Sequence, residues 1–207
     1  MDKGNNFENY LDKIEKSVTK LDGFIRDIID FSRNARTEVE AELIDFKTLI
    51  LEVFENLKYL DEKDRIKRIV KVDVQGEFYS DKKRLSVVLN NIIANAIKYS
   101  NPHAETPFIE VRVKQNSSVT EMVISDNGIG IAEEHIDNIF KMFYRGDAKS
   151  RGSGIGLYIV KETLERIQGT ISVHSEYGKG STFSIVLHSI RPQAIRHSLQ
   201  QESTNMA

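Results

Sequence analysis

Three short runs in this sequence combine residue types and spacing that could do chemistry on a phosphorylated ligand. Asp126-Asn127-Gly128-Ile129-Gly130 offers one carboxylate beside glycines that let the backbone turn tightly against a bound group. Taken alone, Asp-Asn-Gly is a common turn and calls for no ligand. Gly152-Ser153-Gly154-Ile155-Gly156-Leu157 opens a stretch of helical pattern, so free backbone N–H groups and the positive end of a helix dipole would face an anion. It ends in no Lys-Ser or Lys-Thr pair and follows a polar loop, so it is neither a P-loop nor a dinucleotide fingerprint. A lid followed by an ordinary helix would read the same way. The third run is Asn91 to Tyr99. Asn91, Asn95 and Lys98 are spaced four and then three apart, which puts two amide oxygens and an ammonium on one helical stripe suited to a hydrated magnesium ion and phosphates. A solvated polar face is the alternative; an asparagine pair by itself would favour it, and Lys98 on the same stripe narrows the difference.

The elements that must position these runs follow from periodicity. Phe7 to Ala35 repeats apolar residues every seven positions (Phe7, Ile14, Leu21, Ile28) with a second seam through Leu11, Val18, Ile25 and Phe31, as a bundle or coiled-coil helix does. That stripe is too wide for burial on its own domain alone and favours pairing with another helix. A second amphipathic helix is expected over Phe46 to Leu57, a strand over Arg68 to Gln75, and a helix capped by Ser80 and stopped by Asn101-Pro102. Strands Phe108 to Lys114 and Val119 to Ser125 should form a hairpin. A helix over Glu133 to Phe143, another over Gly154 to Gln168, and strands Thr170 to Glu176 and Thr182 to His188 complete the pattern. Interleaved helices and hairpin-linked strands predict an α/β (α+β) fold, a two-layer sandwich of one mixed sheet under helices. The expected parts are a helix in residues 1–40, a domain in 41–190 and a polar tail in 191–207.

Composition removes several functions. The net charge of -2, with both signs interspersed, gives no electrostatic reason for a nucleic-acid partner. Cysteine is absent, which excludes disulfides and thiolate metal sites and fits a cytoplasmic setting. No apolar run approaches the roughly twenty residues that cross a bilayer.

In this order, the runs resemble the ATP-binding domain of sensor histidine kinases, within the superfamily that includes DNA gyrase, the mismatch-repair ATPases and the large heat-shock chaperone. Asn91 to Tyr99 resembles the family's asparagine box, Asp126 to Gly130 and Gly152 to Leu157 two glycine boxes, Ile139 to Phe143 the phenylalanine box, and Gly178 to Phe183 the closing glycine box. The fold implied is the two-layer Bergerat ATP-binding fold, with ATP and Mg2+ as cofactors. The resemblance implies that Asp126 binds the adenine amino group with support from Thr182, and that Asn95 with Asn91 beside it holds magnesium. It implies that Lys98, Tyr99 and Arg145 serve the phosphate and ribose side, and that Tyr144 is a further nucleotide-binding residue. Gly128, Gly130, Ile131, Gly154, Ile155, Gly156 and Leu157 would form the walls, and 132–153 a lid. The helix ending in Ile29-Asp30-Phe31-Ser32-Arg33 resembles the second helix of the family's dimerisation hairpin, which implies a homodimer and a response regulator as partners.

Hydrolases of that superfamily carry a glutamate four residues before the magnesium asparagine. Here Asn91 stands there, and an amide cannot take a proton at neutral pH, which disfavours hydrolysis and leaves transfer to histidine. The acceptor should be a histidine followed by an acidic residue on a preceding helix. None of His103, His135, His174, His188 and His197 fits, so the acceptor, the input domain and any membrane anchor are expected outside these residues. Without an acceptor of its own the chain reads as a catalytic module, or else as a nucleotide-dependent dimerisation module.

Overall fold

The computed structural model describes residues 37–61, 63–116, 119–146 and 153–190, together with Leu11, Ile14, Glu15, Val18, Ile25 and Ile29. Those six are helical, and the five apolar ones are between 43% and 60% exposed. The rest of the expected Phe7 to Ala35 helix, the polar tail and part of the expected lid lie outside the described residues.

Helix α1 (Phe46–Asn56) starts where Asp45 accepts hydrogen bonds from the Thr48 N–H at 3.0 Å and the Thr48 hydroxyl at 2.7 Å. It buries Phe46, Leu49, Ile50, Val53 and Phe54 on one face. Helix α2 (Lys82–Lys98) buries Leu85, Val88, Leu89, Ile92, Ile93, Ala96 and Ile97, the three-and-four spacing of a core-facing stripe. Its N-cap is Asp81, which accepts from the Arg84 N–H at 2.9 Å; the expected cap, Ser80, ends a short strand instead. Helix α3 (Glu133–Ile136) is a single turn, shorter than the sequence suggests, because turns replace the helix from Asp137 and Phe143 takes a φ of +65°. Helix α4 (Gly156–Arg166) begins two residues late, since Gly154 has a φ of +75° that no right-handed helix contains.

Strands β1 (Glu42–Leu43) and β3 (Tyr79–Ser80) form an antiparallel two-stranded ribbon. The other five, β2 (Lys67–Asp73), β4 (Phe108–Asn116), β5 (Val119–Asp126), β6 (Thr170–Glu176) and β7 (Gly180–His188), make one mixed sheet in the order β2-β4-β5-β7-β6. Only β2 and β4 run parallel; the remaining pairs are antiparallel. Alternation sets its two faces. Ile109, Val111, Val113, Met122, Ile124, Phe183, Ile185 and Leu187 are buried with the helices, whereas Arg112, Lys114, Glu121 and His188 project from the other face. Each fully buried aliphatic or aromatic side chain contributes about 1.5–3 kcal/mol relative to exposure, and the helical layer supplies that burial on one face only. The result is the expected two-layer sandwich, and it brings β5, α2, α4 and the β6–β7 turn to one end of the sheet.

Candidate nucleotide site

Asp126 is the last residue of β5, on the helical face of the sheet, paired in register with Ile109 on one side and Ser181 on the other. Burial pushes its carboxyl above the ordinary aspartate range, while backbone N–H groups of Gly128 and Ser181 pull the other way; the Gly128 N–H donates at 2.8 Å. A carboxylate desolvated this way is a strong acceptor for a donor that enters the site. Asn127 does structural work: its amide accepts from the Phe108 N–H at 2.8 Å and donates to the Thr106 carbonyl at 3.0 Å, fastening the entry of β4.

The glycines after Asp126 allow backbone to pass backbone. A Cβ at Gly128 would lie 2.5 Å from the Tyr99 carbonyl oxygen, and one at Gly130 would lie 2.1 Å from the Glu176 carbonyl oxygen, with φ already at +68°. The Ile129 N–H donates to the Tyr99 carbonyl at 2.9 Å, and the Gly178 N–H donates to the Ile129 carbonyl at 2.7 Å. The loop is therefore wedged between the end of α2 and the β6–β7 turn.

Along α2, the ridge Asn91, Asn95, Tyr99 runs from that loop toward α4. The Asn91 amide N–H donates to the Val87 carbonyl at 2.9 Å, which leaves its side-chain oxygen turned toward α4, 2.7 Å from where a Cβ on Gly156 would stand. Asn95 is half-buried, and its carbonyl accepts the Tyr99 N–H at 2.9 Å; Lys98 is exposed. Among the described residues no three His, Asp or Glu gather as metal ligands. The donors on this ridge are neutral amide oxygens, which fit a hard cation that takes its charge balance and remaining ligands from phosphates.

Gly154, Ile155, Gly156 and Leu157 stand at the N-terminus of α4. Ile155 is fully buried and Leu157 packs against the core, so the end of the helix is anchored with its free N–H groups beside the Asn91 oxygen. Ile131 is half-buried, its N–H donating to the Ser175 hydroxyl at 2.8 Å. Tyr144 and Arg145 lie at the end of the segment described after α3. The Tyr144 hydroxyl meets His135 Nδ1 at 2.9 Å, and Arg145 is half-buried.

Thr182 is not brought to Asp126. Successive strand residues face opposite sides, so Thr182 lies on the outer face of the sheet, where its hydroxyl meets the Ser125 hydroxyl at 3.1 Å. Ser181, buried and in register with Asp126, occupies the place expected for Thr182. Sequence reasoning also missed Ser175, for which no local pattern gives a signal.

Residues 80–190 match the family described as histidine kinase-, DNA gyrase B-, and HSP90-like ATPase. The chain is 31% identical over 192 residues to the aerobic respiration control sensor protein ArcB of Escherichia coli strain K12, covering 87% of this chain and 24% of that protein. It is 34% identical over 188 residues to the sensor protein kinase WalK of Staphylococcus aureus, covering 86% and 44%. The solved mycobacterial sensor histidine kinase MprB superposes with a TM-score of 0.61 at 28% identity, covering 74% of this chain and 100% of that one. The chain thus spans about a quarter of ArcB and less than half of WalK.

Proposed function

Since this chain belongs to the histidine kinase-, DNA gyrase B- and HSP90-like ATPase family, we propose that it is the ATP-binding catalytic module of a two-component sensor histidine kinase, with residues 41–190 as its nucleotide domain. The observation that carries this reading is the convergence of three unlike groups on one end of the sheet: a half-buried, partly desolvated carboxylate at Asp126, the amide ridge Asn91–Asn95, and the N-terminus of α4 at Gly156. Asp126 accepts the adenine amino group. The phosphates lie along α2 toward the N–H groups of Gly154 to Leu157, with Lys98, Tyr99 and Arg145 on their side. Asn95 and Asn91 would hold magnesium, which when bound offsets charge on the transferring phosphoryl group.

Transfer needs an imidazole nitrogen in line with the γ-phosphorus. An N–P bond forms, the bond from phosphorus to the ADP oxygen breaks, and the imidazole proton leaves to solvent or to a base beside the acceptor. Asn91 supplies no base for water, so the residues of this pocket bind and orient ATP without driving hydrolysis. The acceptor comes from another helix. Leu11, Ile14, Val18, Ile25 and Ile29 are exposed apolar residues at bundle spacing and would pair with a second copy of the chain. A response regulator would receive the phosphoryl group from the complete kinase. Among the described residues no helix is long and apolar enough to cross a membrane, and a cytoplasmic location is part of this reading.

Titration calorimetry with magnesium and ATP tests binding; addition of a histidine-bearing dimerisation helix then tests transfer, read as acid-labile phosphate on that helix. Binding with transfer supports the kinase reading. Binding without transfer leaves a nucleotide-dependent interaction module, and absence of binding overturns both.

A further inference from the structure

We propose that Ser175 sets the hydrogen-bond polarity of the base pocket, acting as a positioning residue through Ser181 so that the pocket accepts a 6-amino purine and disfavours a 6-oxo purine. This rests on the assignment of Asp126 to the base.

Ser175, Ser181, Asp126 and Ile109 form one row across β6, β7, β5 and β4, each in register with the next and all on the helical face. The Ser175 hydroxyl makes three contacts. It donates to the Gly180 carbonyl at 2.8 Å, accepts from the Ile131 N–H at 2.8 Å, and meets the Ser181 hydroxyl at 3.0 Å. A hydroxyl has one proton and two lone pairs. The Gly180 oxygen can only accept, so the single proton of Ser175 is spent there. The Ile131 N–H can only donate and takes one lone pair. The contact with Ser181 must then run from Ser181 to Ser175, into the second lone pair.

The consequence falls on Ser181. With its proton turned toward Ser175, its oxygen presents only lone pairs on the side of Asp126. The pocket floor is then a row of acceptors, the Asp126 carboxylate and the Ser181 oxygen. Adenine offers a 6-amino donor to such a row; hypoxanthine offers a 6-oxo acceptor, which would face lone pairs. An unmatched buried acceptor is what makes a hydrogen-bonding site discriminate strongly. Ser175 also pins the Ile131 backbone to the β6–β7 turn, so the same hydroxyl fixes both the wall and the polarity of the floor.

The test compares ATP with inosine triphosphate, both with magnesium, on the full chain by calorimetry. The unmodified protein is expected to prefer ATP by tenfold or more. Ser175→Ala frees the Ser181 proton to turn toward a 6-oxo group, so the preference is expected to fall at least fivefold, while Ser175→Thr, which keeps the hydroxyl, stays within twofold. In a Ser181→Ala background, Ser175→Ala is expected to change the preference no further, because the effect runs through Ser181. Equal weakening of both nucleotides by Ser175→Ala, or an unchanged preference, overturns the proposal and leaves Ser175 a scaffold residue. If Ser175→Ala loses its cooperative thermal transition, Ser175→Cys, whose thiol bonds weakly, is measured against the same two outcomes. Failure of the parent reading looks different: the unmodified protein binds neither nucleotide, or Asp126→Asn leaves the preference intact.

Discussion

Asp81 and Arg84 form an ion pair inside the first turn of α2, with side-chain exposures of 3% and 4%. The same guanidinium donates to the Thr37 carbonyl at 2.7 Å and the Glu38 carbonyl at 3.1 Å, and Asp81 accepts from the Glu40 N–H at 3.2 Å. The stretch that precedes the domain is thus clasped to the helix bearing Asn91 and Asn95. Removing one partner strands a buried charge, which typically costs about 3–5 kcal/mol. Arg84→Met is expected to lower stability by that order in urea unfolding, and to speed proteolysis between residues 37 and 42. A loss below about 1 kcal/mol would show that the pair contributes little.

Gly130 and Gly178 both have positive φ, +68° and +86°, yet only one is crowded. A Cβ at Gly178 meets nothing within 4 Å, whereas at Gly130 it would overlap the Glu176 carbonyl. Gly178→Ala therefore costs only backbone strain, about 1–2 kcal/mol. Gly130→Ala must open the contact between the glycine loop and the β6–β7 turn. It is expected to lower ATP affinity at least tenfold, while Gly178→Ala stays within threefold in calorimetry.

The main elements were legible because their signals are local. The stripes Leu49, Val53 and Val88, Ile92, Ala96 have helical period, and Val111, Val113 alternate as strands do. Errors arose where a distant partner decides. Ser80 looks like an N-cap, but backbone pairing of Tyr79–Ser80 with Glu42–Leu43 extends it into a strand and shifts the cap to Asp81. Thr182 and Ser181 are adjacent hydroxyls that only strand register separates, and a register one residue different would exchange their faces. The three-way bonding of Ser175 joins residues 44 and 6 positions away, which no local pattern records.

Burial raises the Asp126 pKa above that of an unfolded aspartate. Between the ordinary value and the raised one, the native state holds more of the proton than the unfolded chain does. Stability therefore falls as pH rises through that window, and the ionised carboxylate stays a cost at neutral pH. Asp126→Asn removes that cost, so its Tm at pH 7 is expected to equal or exceed that of the unmodified protein although its base selectivity is lost. Below the raised pKa, ATP affinity of the unmodified protein should drop about tenfold per pH unit more than that of Asp126→Asn. Parallel pH profiles for the two proteins would show that the Asp126 proton is not linked to binding.

Asn91 ties its N–H to Val87 and turns its oxygen toward Gly156, so it stands where the phosphates would pass but can take no proton. A carboxylate in its place could activate water, and a positioned general base contributes typically about 100-fold or more. Asn91→Glu is therefore expected to raise steady-state phosphate release from ATP by about that factor, with the unmodified chain near background. The comparison separates chemistry from binding, because calorimetry on both proteins shows whether ATP still enters. If the unmodified chain releases phosphate as fast as Asn91→Glu while binding ATP equally well, the amide at position 91 is not what withholds hydrolysis, and the water must be activated by another group within reach of the Gly154–Gly156 turn.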